Sequence, residues 1–149
     1  MTGSTSRLPL QAGPDRPHLI DSSVWIDWFR NVDGAAAEGL DDLLDREVDV
    51  ATTEPVLLEL FAGARSSVAL GQMEEVMAGV PLLSVAPHLD FHRAAALYRD
   101  ARSRGRTVRR LMDCLIAAVA LRHDAVLVHK DADFDAIGAA ANARWISFC

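Results

Sequence analysis

Apolar residues along this chain occur in two patterns that predict different secondary structures. Short uninterrupted runs are typical of buried strands, whereas longer segments with apolar residues every three or four positions are typical of helices. The predicted strands are His18–Ile20, Val48–Thr52, Val80–Val85, Ala125–Val128 and Arg144–Phe148. The predicted helices are Val24–Arg30, Ala35–Leu44, a segment that begins near Pro55 and ends at Gly63, Val68–Ala78, Pro87–Ser103, Arg110–His123 and Phe134–Ala141.

The alternation of these strands and helices predicts an α/β fold. Parallel strands joined by helices form a central sheet that is covered on both faces, which makes three layers. We therefore expect a parallel sheet of four to five strands, with Val80–Val85 at an edge because Pro81 lacks a backbone donor. Residues 1–17 contain three prolines and no apolar period, so they are predicted to be a flexible N-terminal extension. One domain is expected over residues 18–149.

Four acidic residues lie beside the apolar runs and are the first candidates for chemistry: Asp21, Glu59, Asp113 and Asp131. A carboxylate next to a hydrophobic core costs free energy unless it is paired, hydrogen-bonded or bound to a cation. Asp21 and Asp131 directly follow predicted strands, at the sheet edge where sites form in parallel α/β folds. Carboxylate oxygens are the ligands of hard cations, so the sequence predicts a Mg²⁺ site in which Mn²⁺ could substitute.

Two serines and one further acid have simpler interpretations. Ser22 and Ser23 are predicted to form a tight turn before the first helix, although Ser22 could also hold a water at a metal site. Glu54 could replace Glu59 as the second acid, but its position before Pro55 favours a role in capping the helix.

The net charge of −6 argues against a nucleic-acid partner, but the distribution of charge changes this interpretation. Arginines are concentrated between positions 99 and 110, directly before Asp113. They could be the solvated end of a helix or a local field for a phosphate backbone. Because they adjoin a candidate metal-binding acid, we predict RNA contacts for Arg102, Arg106, Arg109 and Arg110.

The sequence also favours a cytoplasmic protein. No apolar run approaches the roughly 20 residues of a membrane span, and the N-terminal residues lack the apolar segment of a signal peptide. The two cysteines, Cys114 and Cys149, have neither disulfide-framework nor zinc-site spacing and are expected to be free thiols.

Four motifs together resemble the PIN-domain ribonucleases and, more narrowly, the VapC-type toxins of bacterial and archaeal toxin–antitoxin pairs. Each contains one of the four acids, in the order and at roughly the spacing of that family. They are Leu19-Ile20-Asp21-Ser22-Ser23-Val24-Trp25, Glu59-Leu60-Phe61-Ala62-Gly63, Asp113-Cys114-Leu115-Ile116-Ala117-Ala118 and Val126-Leu127-Val128-His129-Lys130-Asp131-Ala132-Asp133-Phe134.

The resemblance implies a Mg²⁺-dependent endoribonuclease toxin that cleaves RNA with a metal-activated water and leaves a 3′-hydroxyl and a 5′-phosphate. By this match Asp21, Glu59 and Asp113 are the core metal-binding acids. Asp131 is the fourth and more variable one, with Asp133 as its rival. Members of the family often have Thr where this chain has His129, which puts one supporting hydrogen bond in doubt.

The same resemblance implies two protein partners, a second copy of the chain and a cognate antitoxin. Antitoxins of this family lay a C-terminal segment across the toxin. An apolar groove lined by Trp25, Trp28, Phe29 and Leu57 would suit such a helix, and these residues are the predicted antitoxin or dimer contacts.

Two other functions are compatible with acids at the ends of parallel strands. A phosphoacceptor receiver domain would use Lys130, but the position expected for its aspartate is occupied by Thr52-Thr53-Glu54. A catalytically silent RNA- or protein-binding module would be expected to have lost acids, whereas all four are present here.

Overall fold

The core of the protein is a sheet of four parallel strands, seen in a computed structural model that describes residues 16–149. The strands are β1 (His18–Ile20), β2 (Val50–Ala51), β3 (Val126–His129) and β4 (Ile146–Ser147), and their order across the sheet is β2-β1-β3-β4. Consecutive residues of a strand face opposite sides of a sheet. Leu19 and Ile20 are both fully buried, so β1 is covered on both faces. The predicted three-layer α/β fold is confirmed.

Seven helices of the described residues surround this sheet. They are α1 (Ser22–Phe29), α2 (Ala35–Asp45), α3 (Glu54–Ala62), α4 (Ser67–Met77), α5 (Pro87–Ser103), α6 (Leu111–Arg122) and α7 (Ala132–Ala141). Their existence was predicted correctly, but α1 and α7 each begin two residues earlier than expected. In both cases an aspartate caps the helix, so the residues after it already belong to the first turn. No helix in this part of the chain is long and apolar enough to cross a membrane.

Helix α6 lies in the centre of the molecule. All eight residues from Asp113 to Ala120 are buried, and Asp113 and Arg122 are the only charged residues of the helix. A helix without a polar face has to be enclosed by other elements. The small side chains of α6 allow α5 to pack closely along it, and α7 also contacts it.

The prediction of a fifth strand over Val80–Val85 is wrong. Only Leu82 forms a bridge, with Thr52, through hydrogen bonds from Thr52 N to Pro81 O (2.9 Å) and from Leu83 N to Thr52 O (2.7 Å). Pro81 has no N–H to donate, so a ladder cannot continue through it. The strand is therefore reduced to a single contact at the edge of the sheet beside β2.

Arg16 and Pro17, the two described residues before the predicted domain boundary at residue 18, contact the fold. Pro17 O accepts a hydrogen bond from Val126 N (2.8 Å), and Arg16 Nε donates to Asp124 O (3.0 Å). Both contacts attach the chain to the start of β3. The rest of the predicted flexible extension, residues 1–15, lies outside the described residues.

A glycine in the connection between α5 and α6 ends α5 and sets the direction of the chain toward α6. Gly105 has φ +81°, a left-handed conformation that is costly for other residues, and Arg106 N donates to Ala101 O (2.9 Å) across the helix end. This confirms the predicted end of α5 and brings Arg109 and Arg110 to the start of α6.

A buried ion pair connects the two central helices. Asp90 is 1% exposed and accepts hydrogen bonds from Arg122 Nε and Nη2 (both 2.9 Å) and from Ala86 N (2.7 Å). Arg122 Nη2 also donates to Ser84 O (2.6 Å). Burial raises the pKa of Asp90, but these hydrogen bonds outweigh it and hold the pKa below its usual value. The pair thus joins the first turn of α5, the last turn of α6 and the segment before α5.

Removing the carboxylate of this pair should destabilise the fold. In Asp90→Ala the half-buried Arg122 guanidinium loses its counter-charge, so we expect the free energy of unfolding in urea to fall by about 3 kcal/mol. Asp42→Ala is the matched control, because it breaks the exposed Asp42–Arg46 pair on α2 and should cost less than about 0.5 kcal/mol. Equal losses in the two variants would contradict a structural role for the buried pair.

Candidate active site

The structure brings the four predicted acids together beyond the C-terminal ends of β1 and β3. Asp21 follows β1 and Asp131 lies two residues after β3, while Asp113 lies in the first turn of α6 and Glu59 in α3. The guanidinium of Arg110 lies 3.8 Å from Asp113 Oδ1, 3.6 Å from Asp131 Oδ2 and 3.9 Å from Glu59 Oε2. Asp21 is close enough for its charge to raise the pKa of both Asp113 and Glu59. We call these four residues the acid cluster.

Asp21 divides its two carboxylate oxygens between the fold and the site. Its Oδ2 caps α1 by accepting hydrogen bonds from Ser23 N (3.1 Å) and Ser23 Oγ (2.5 Å). Its Oδ1 is buried and has no hydrogen-bond partner among residues 16–149. One oxygen of Asp21 therefore holds the helix and the other is available to a ligand.

Asp113 is the most unusual member of the cluster. It is 0% exposed, and neither of its carboxylate oxygens has a hydrogen-bond partner in the described part of the chain. Burial raises its pKa to about 7; Arg110 opposes this shift, and the charges of Asp21, Asp131 and Glu59 add to it. A buried carboxylate is normally stabilised by hydrogen bonds, and Asp113 has none among the described residues.

Glu59 is positioned by a residue for which the sequence favoured only a turn. Ser22, the first residue of α1, donates from Oγ to Glu59 Oε1 (2.9 Å) and so connects α1 to α3. Burial raises the pKa of Glu59, the Ser22 hydroxyl opposes the shift, and nearby Asp21 adds to it. Glu54, the alternative second acid, lies outside the cluster, where it accepts a hydrogen bond from Val85 N (2.8 Å).

Asp131 and its rival Asp133 are both held by Arg109. Asp133 Oδ2 accepts from Arg109 N (3.0 Å) and Arg109 Nε (3.1 Å), and Asp131 Oδ1 accepts from Arg109 Nη2 (2.9 Å) and Asp133 N (2.9 Å). Asp131 Oδ2 faces Arg110 instead. Asp133 thus joins α7 to the loop before α6 through its hydrogen bonds with Arg109. Oδ2 of Asp131, by contrast, faces the other acids of the cluster.

The donor set fits a divalent cation. One oxygen each of Asp113, Asp131 and Asp133 lie within 4.8 Å of one another, and the unpartnered oxygens of Asp21 and Asp113 are buried nearby. All these donors are carboxylate oxygens, which hard cations prefer. A bound cation would supply the compensation that Asp113 lacks.

His129 supports the loop that contains Asp131. It is 1% exposed, its Nδ1 accepts from Asp131 N (3.3 Å), and its Nε2 lies 3.5 Å from Asp135 Oδ1. Burial lowers its pKa, although the charges of Asp135 and Asp21 oppose the shift. The imidazole of His129 therefore forms a hydrogen bond with the backbone of this loop.

The receiver-domain alternative does not match the geometry. Lys130, which such a domain would keep for a phosphorylated aspartate, forms an ion pair with Asp27 at 2.5 Å. Thr52 and Thr53, at the position of the expected acid, are buried hydroxyl residues. No phosphoacceptor aspartate therefore follows β2.

The four predicted RNA-binding arginines differ in whether they contact the acids of the site. Arg109 and Arg110 contact the acids, as described above. Arg102 lies over the ring of Tyr98 at 5.5 Å, and Arg106 is exposed in the loop after α5. The guanidinium of Arg109 is held by Asp131 and Asp133, and the RNA contacts of all four arginines stay predictions.

The predicted aromatic contact surface needs a correction. Trp25 is 1% exposed and packs in the core, because helical spacing turns it toward the sheet, so it cannot line a groove. Trp28 and Phe29 are half-buried and do line a groove of about 600 Å³ between α1, α2 and α4, together with Val32 and Val76. Leu57 is half-buried on α3 and does not belong to that groove.

A second apolar surface was not recognised in the sequence. Phe91 and Leu111 are 60% and 65% exposed and, with Met112 and Leu115, line an apolar depression between α5 and α6. We call it the α5–α6 patch. Leu111 is two residues from Asp113, so the patch adjoins the acid cluster. The only signal for it in the sequence was a bulky apolar residue near the start of each helix, Phe91 in α5 and Leu111 in α6.

Comparisons with known proteins agree with this architecture. The family model of the PIN domain matches residues 18–140. A VapC ribonuclease of Mycobacterium bovis and ribonuclease VapC11 of Mycobacterium tuberculosis are each 43% identical over 131 residues, which is 87% of this chain and 98% of theirs.

Two solved structures show the same fold at lower identity. VapBC2 from Rickettsia felis, bound to a DNA fragment from its promoter, has a TM-score of 0.71 at 14% identity and covers 89% of this chain and 99% of that one. VapC20 of Mycobacterium tuberculosis, described as a Sarcin-Ricin loop cleaving toxin, has a TM-score of 0.61 at 22% identity and covers 81% and 95%.

The covered parallel sheet with buried acids at its C-terminal edge defines an α/β protein with a carboxylate site for a divalent cation. The chain belongs to the PIN-domain family and, within it, to the VapC ribonucleases.

The raised pKa of Asp113 predicts a specific pH dependence of stability. Because its folded-state pKa of about 7 exceeds the usual value of 3.8, ionisation of Asp113 disfavours the folded state. The penalty is absent below about pH 4 and complete above about pH 7. Asp113→Asn should therefore gain roughly 3 kcal/mol relative to the wild type between about pH 4.5 and about pH 8, measured by urea unfolding in EDTA. Exposed Asp45→Asn is the control, and a pH-independent difference for Asp113→Asn would refute the prediction.

Proposed function

We propose that this protein is the toxin of a toxin–antitoxin pair and acts as a Mg²⁺-dependent endoribonuclease. The observation that carries the proposal is Asp113, a fully buried carboxylate without a hydrogen bond among the described residues and surrounded by three other acids. Such a site is costly to the fold unless a cation completes it. The relatives named as VapC ribonucleases support the reaction class. We expect the protein to act in the cytoplasm, where cellular RNA would be available as its substrate.

In this proposal the acid cluster holds the cation, and the surrounding residues keep each acid in place. When bound, Mg²⁺ lowers the pKa of a water and neutralises charge on the phosphoryl and leaving oxygens. Ser22 fixes the orientation of Glu59, and Arg109 fixes Asp131. Asp131 is the proposed fourth acid, and Asp133, which anchors Arg109 and has one oxygen within 4.8 Å of Asp113 and Asp131, stays the alternative.

An RNA backbone that approaches the cluster would meet exposed arginines. The Arg110 side chain, which contacts three of the acids, is 59% exposed, and Arg102 in the last turn of α5 and Arg106 in the loop after it are also exposed. A phosphate approaching the acids would meet these cations first, which compensates locally for the net negative charge of the chain.

Cleavage of total RNA by purified protein, freed of any antitoxin, tests the proposed activity. We expect cutting with Mg²⁺ and none in EDTA, because the acids alone supply no electrophile for the phosphoryl oxygens. Asp113→Asn should reduce the rate by at least about 100-fold, whereas Asp45→Asn on α2 should retain it. Products should end in a 3′-hydroxyl and a 5′-phosphate. A 3′-phosphate or cyclic phosphate would refute the mechanism, since it would mean attack by the ribose 2′-hydroxyl.

The two apolar surfaces can be assigned to the two protein partners. Several solved structures with this fold are toxin–antitoxin complexes. The groove at Trp28 and Phe29 combines apolar residues with polar ones such as Asp41 and Glu38, which suits an amphipathic helix of an antitoxin. The α5–α6 patch is almost wholly apolar, which suits a contact with a second copy of the chain.

A pair of variants should separate these contacts. Trp28→Ala should weaken antitoxin binding by at least about tenfold and leave the oligomeric state unchanged, because Trp28 would be a buried aromatic anchor. Phe91→Asp should yield a monomer that still binds antitoxin, because it places a charge in the proposed dimer contact. Calorimetry and light scattering measure the two effects. The assignment is wrong if Phe91→Asp remains a dimer or if Trp28→Ala binds antitoxin like the wild type.

A further inference from the structure

Among residues 16–149, three arginines contact buried or half-buried acids, and one of them differs from the other two in its contacts. Arg122 and Arg109 are held by short hydrogen bonds of 2.9–3.1 Å to carboxylate oxygens. Arg110 approaches three acids at 3.6–3.9 Å, beyond hydrogen-bond distance in each case. Its contacts are therefore ionic but not directional, and they can be exchanged without breaking a hydrogen bond.

The position of Arg110 is that of a central cation. Its guanidinium touches acids from three separate elements, Glu59 of α3, Asp113 of α6 and Asp131 after β3. Asp131 lies between two arginines, with Oδ1 on Arg109 and Oδ2 on Arg110. If Arg110 left, Oδ2 would be released while Arg109 kept the carboxylate in place.

Local backbone conformation explains why neighbouring arginines play different roles. Arg110 precedes the first residue of α6 with φ −131° and ψ 125°, an extended conformation that directs successive side chains to opposite sides. Arg109 therefore reaches toward Asp133, and Arg110 reaches across the cluster. The Arg110 side chain remains 59% exposed, so it can turn into solvent without uncovering the core.

We propose that Arg110 is a displaceable internal counter-cation: it neutralises the acid cluster in the metal-free protein and moves to an RNA phosphate when the acids take up a divalent cation. This inference rests on the proposed nuclease function and adds to it. A guanidinium and a divalent cation repel each other at short range, so a cation bound among these acids weakens the attraction that holds Arg110 there. A guanidinium displaced from carboxylates retains its preference for oxyanions, and a phosphate offers it a bidentate partner.

The exchange has a thermodynamic consequence. Arg110 competes with the cation in the absence of RNA, and an RNA phosphate removes that competition by giving Arg110 another partner. Because coupling between two ligands is reciprocal, RNA should strengthen cation binding and the cation should strengthen RNA binding. Arg110 would thus favour loading of the site when substrate is present.

Titration of Mn²⁺ into the metal-free, RNA-free protein tests the first half of the proposal. By calorimetry, R110Q should bind Mn²⁺ about fivefold more tightly than the wild type, because the competing charge is gone. R104Q, which removes an exposed charge from the same connection, should change the affinity by less than about twofold. R110K retains the charge and should bind Mn²⁺ with nearly the wild-type affinity. Equal affinity of R110Q and the wild type, or an R110K that binds as tightly as R110Q, would overturn the counter-cation role.

Cleavage of total RNA at saturating Mg²⁺ tests the second half. There R110Q should be at least about tenfold slower than the wild type, despite its tighter binding of metal, because the phosphate has lost its partner. A rate equal to that of the wild type would overturn the transfer of Arg110 to RNA. The two proposals fail separately: wild-type cleavage without the Mn²⁺ effect refutes only the role of Arg110, whereas absence of Mn²⁺ binding in both proteins refutes the nuclease site itself.

Discussion

The free-energy cost of a carboxylate at the start of a fully buried helix is the constraint on which this structure depends. Asp113 lies on α6, which is enclosed by apolar neighbours through most of its length. Its carboxylate therefore cannot turn into solvent, and no hydrogen bond from the described residues satisfies it. The fold holds this group in place through the packing of α5 and α7 around α6 and through the Asp90–Arg122 pair at the far end of the helix. Rigidity at Asp113 is thus supplied by apolar contacts some distance from the site.

The other acids show how one residue can serve both the fold and the site. Asp21 and Asp131 each follow a parallel strand and cap the helix that comes next, with one carboxylate oxygen bound to the backbone of that helix. In each case the second oxygen is directed to the acid cluster. Strand, aspartate and helix form the same local unit twice, and the parallel pairing of β1 with β3 brings the two units side by side.

Three arginines that face carboxylates have different roles, which the net charge of the chain does not reveal. Arg122 stabilises the core, Arg109 fixes the loop acids, and Arg110 lies over the cluster with loose contacts. The difference lies in distance and geometry, since all three face carboxylates. An excess of acidic residues is therefore compatible with an RNA substrate, because the charges that matter lie within a few ångströms of the site.

The sequence by itself determined the order of the elements and the parallel sheet, and it indicated the acids that meet in the fold, with Asp133 left as a rival to Asp131. Each of these depends on patterns that are local along the chain: apolar runs, helical periods, and acids that interrupt them. It could not show that Val80–Val85 shrinks to one bridge, that Trp25 faces the core while Trp28 lines a groove, or that Arg109 and Arg110 point to opposite sides of Asp131. Those outcomes depend on which surfaces meet across the fold, and the tertiary structure decides them because burial and pairing of a side chain are properties of its neighbours in space.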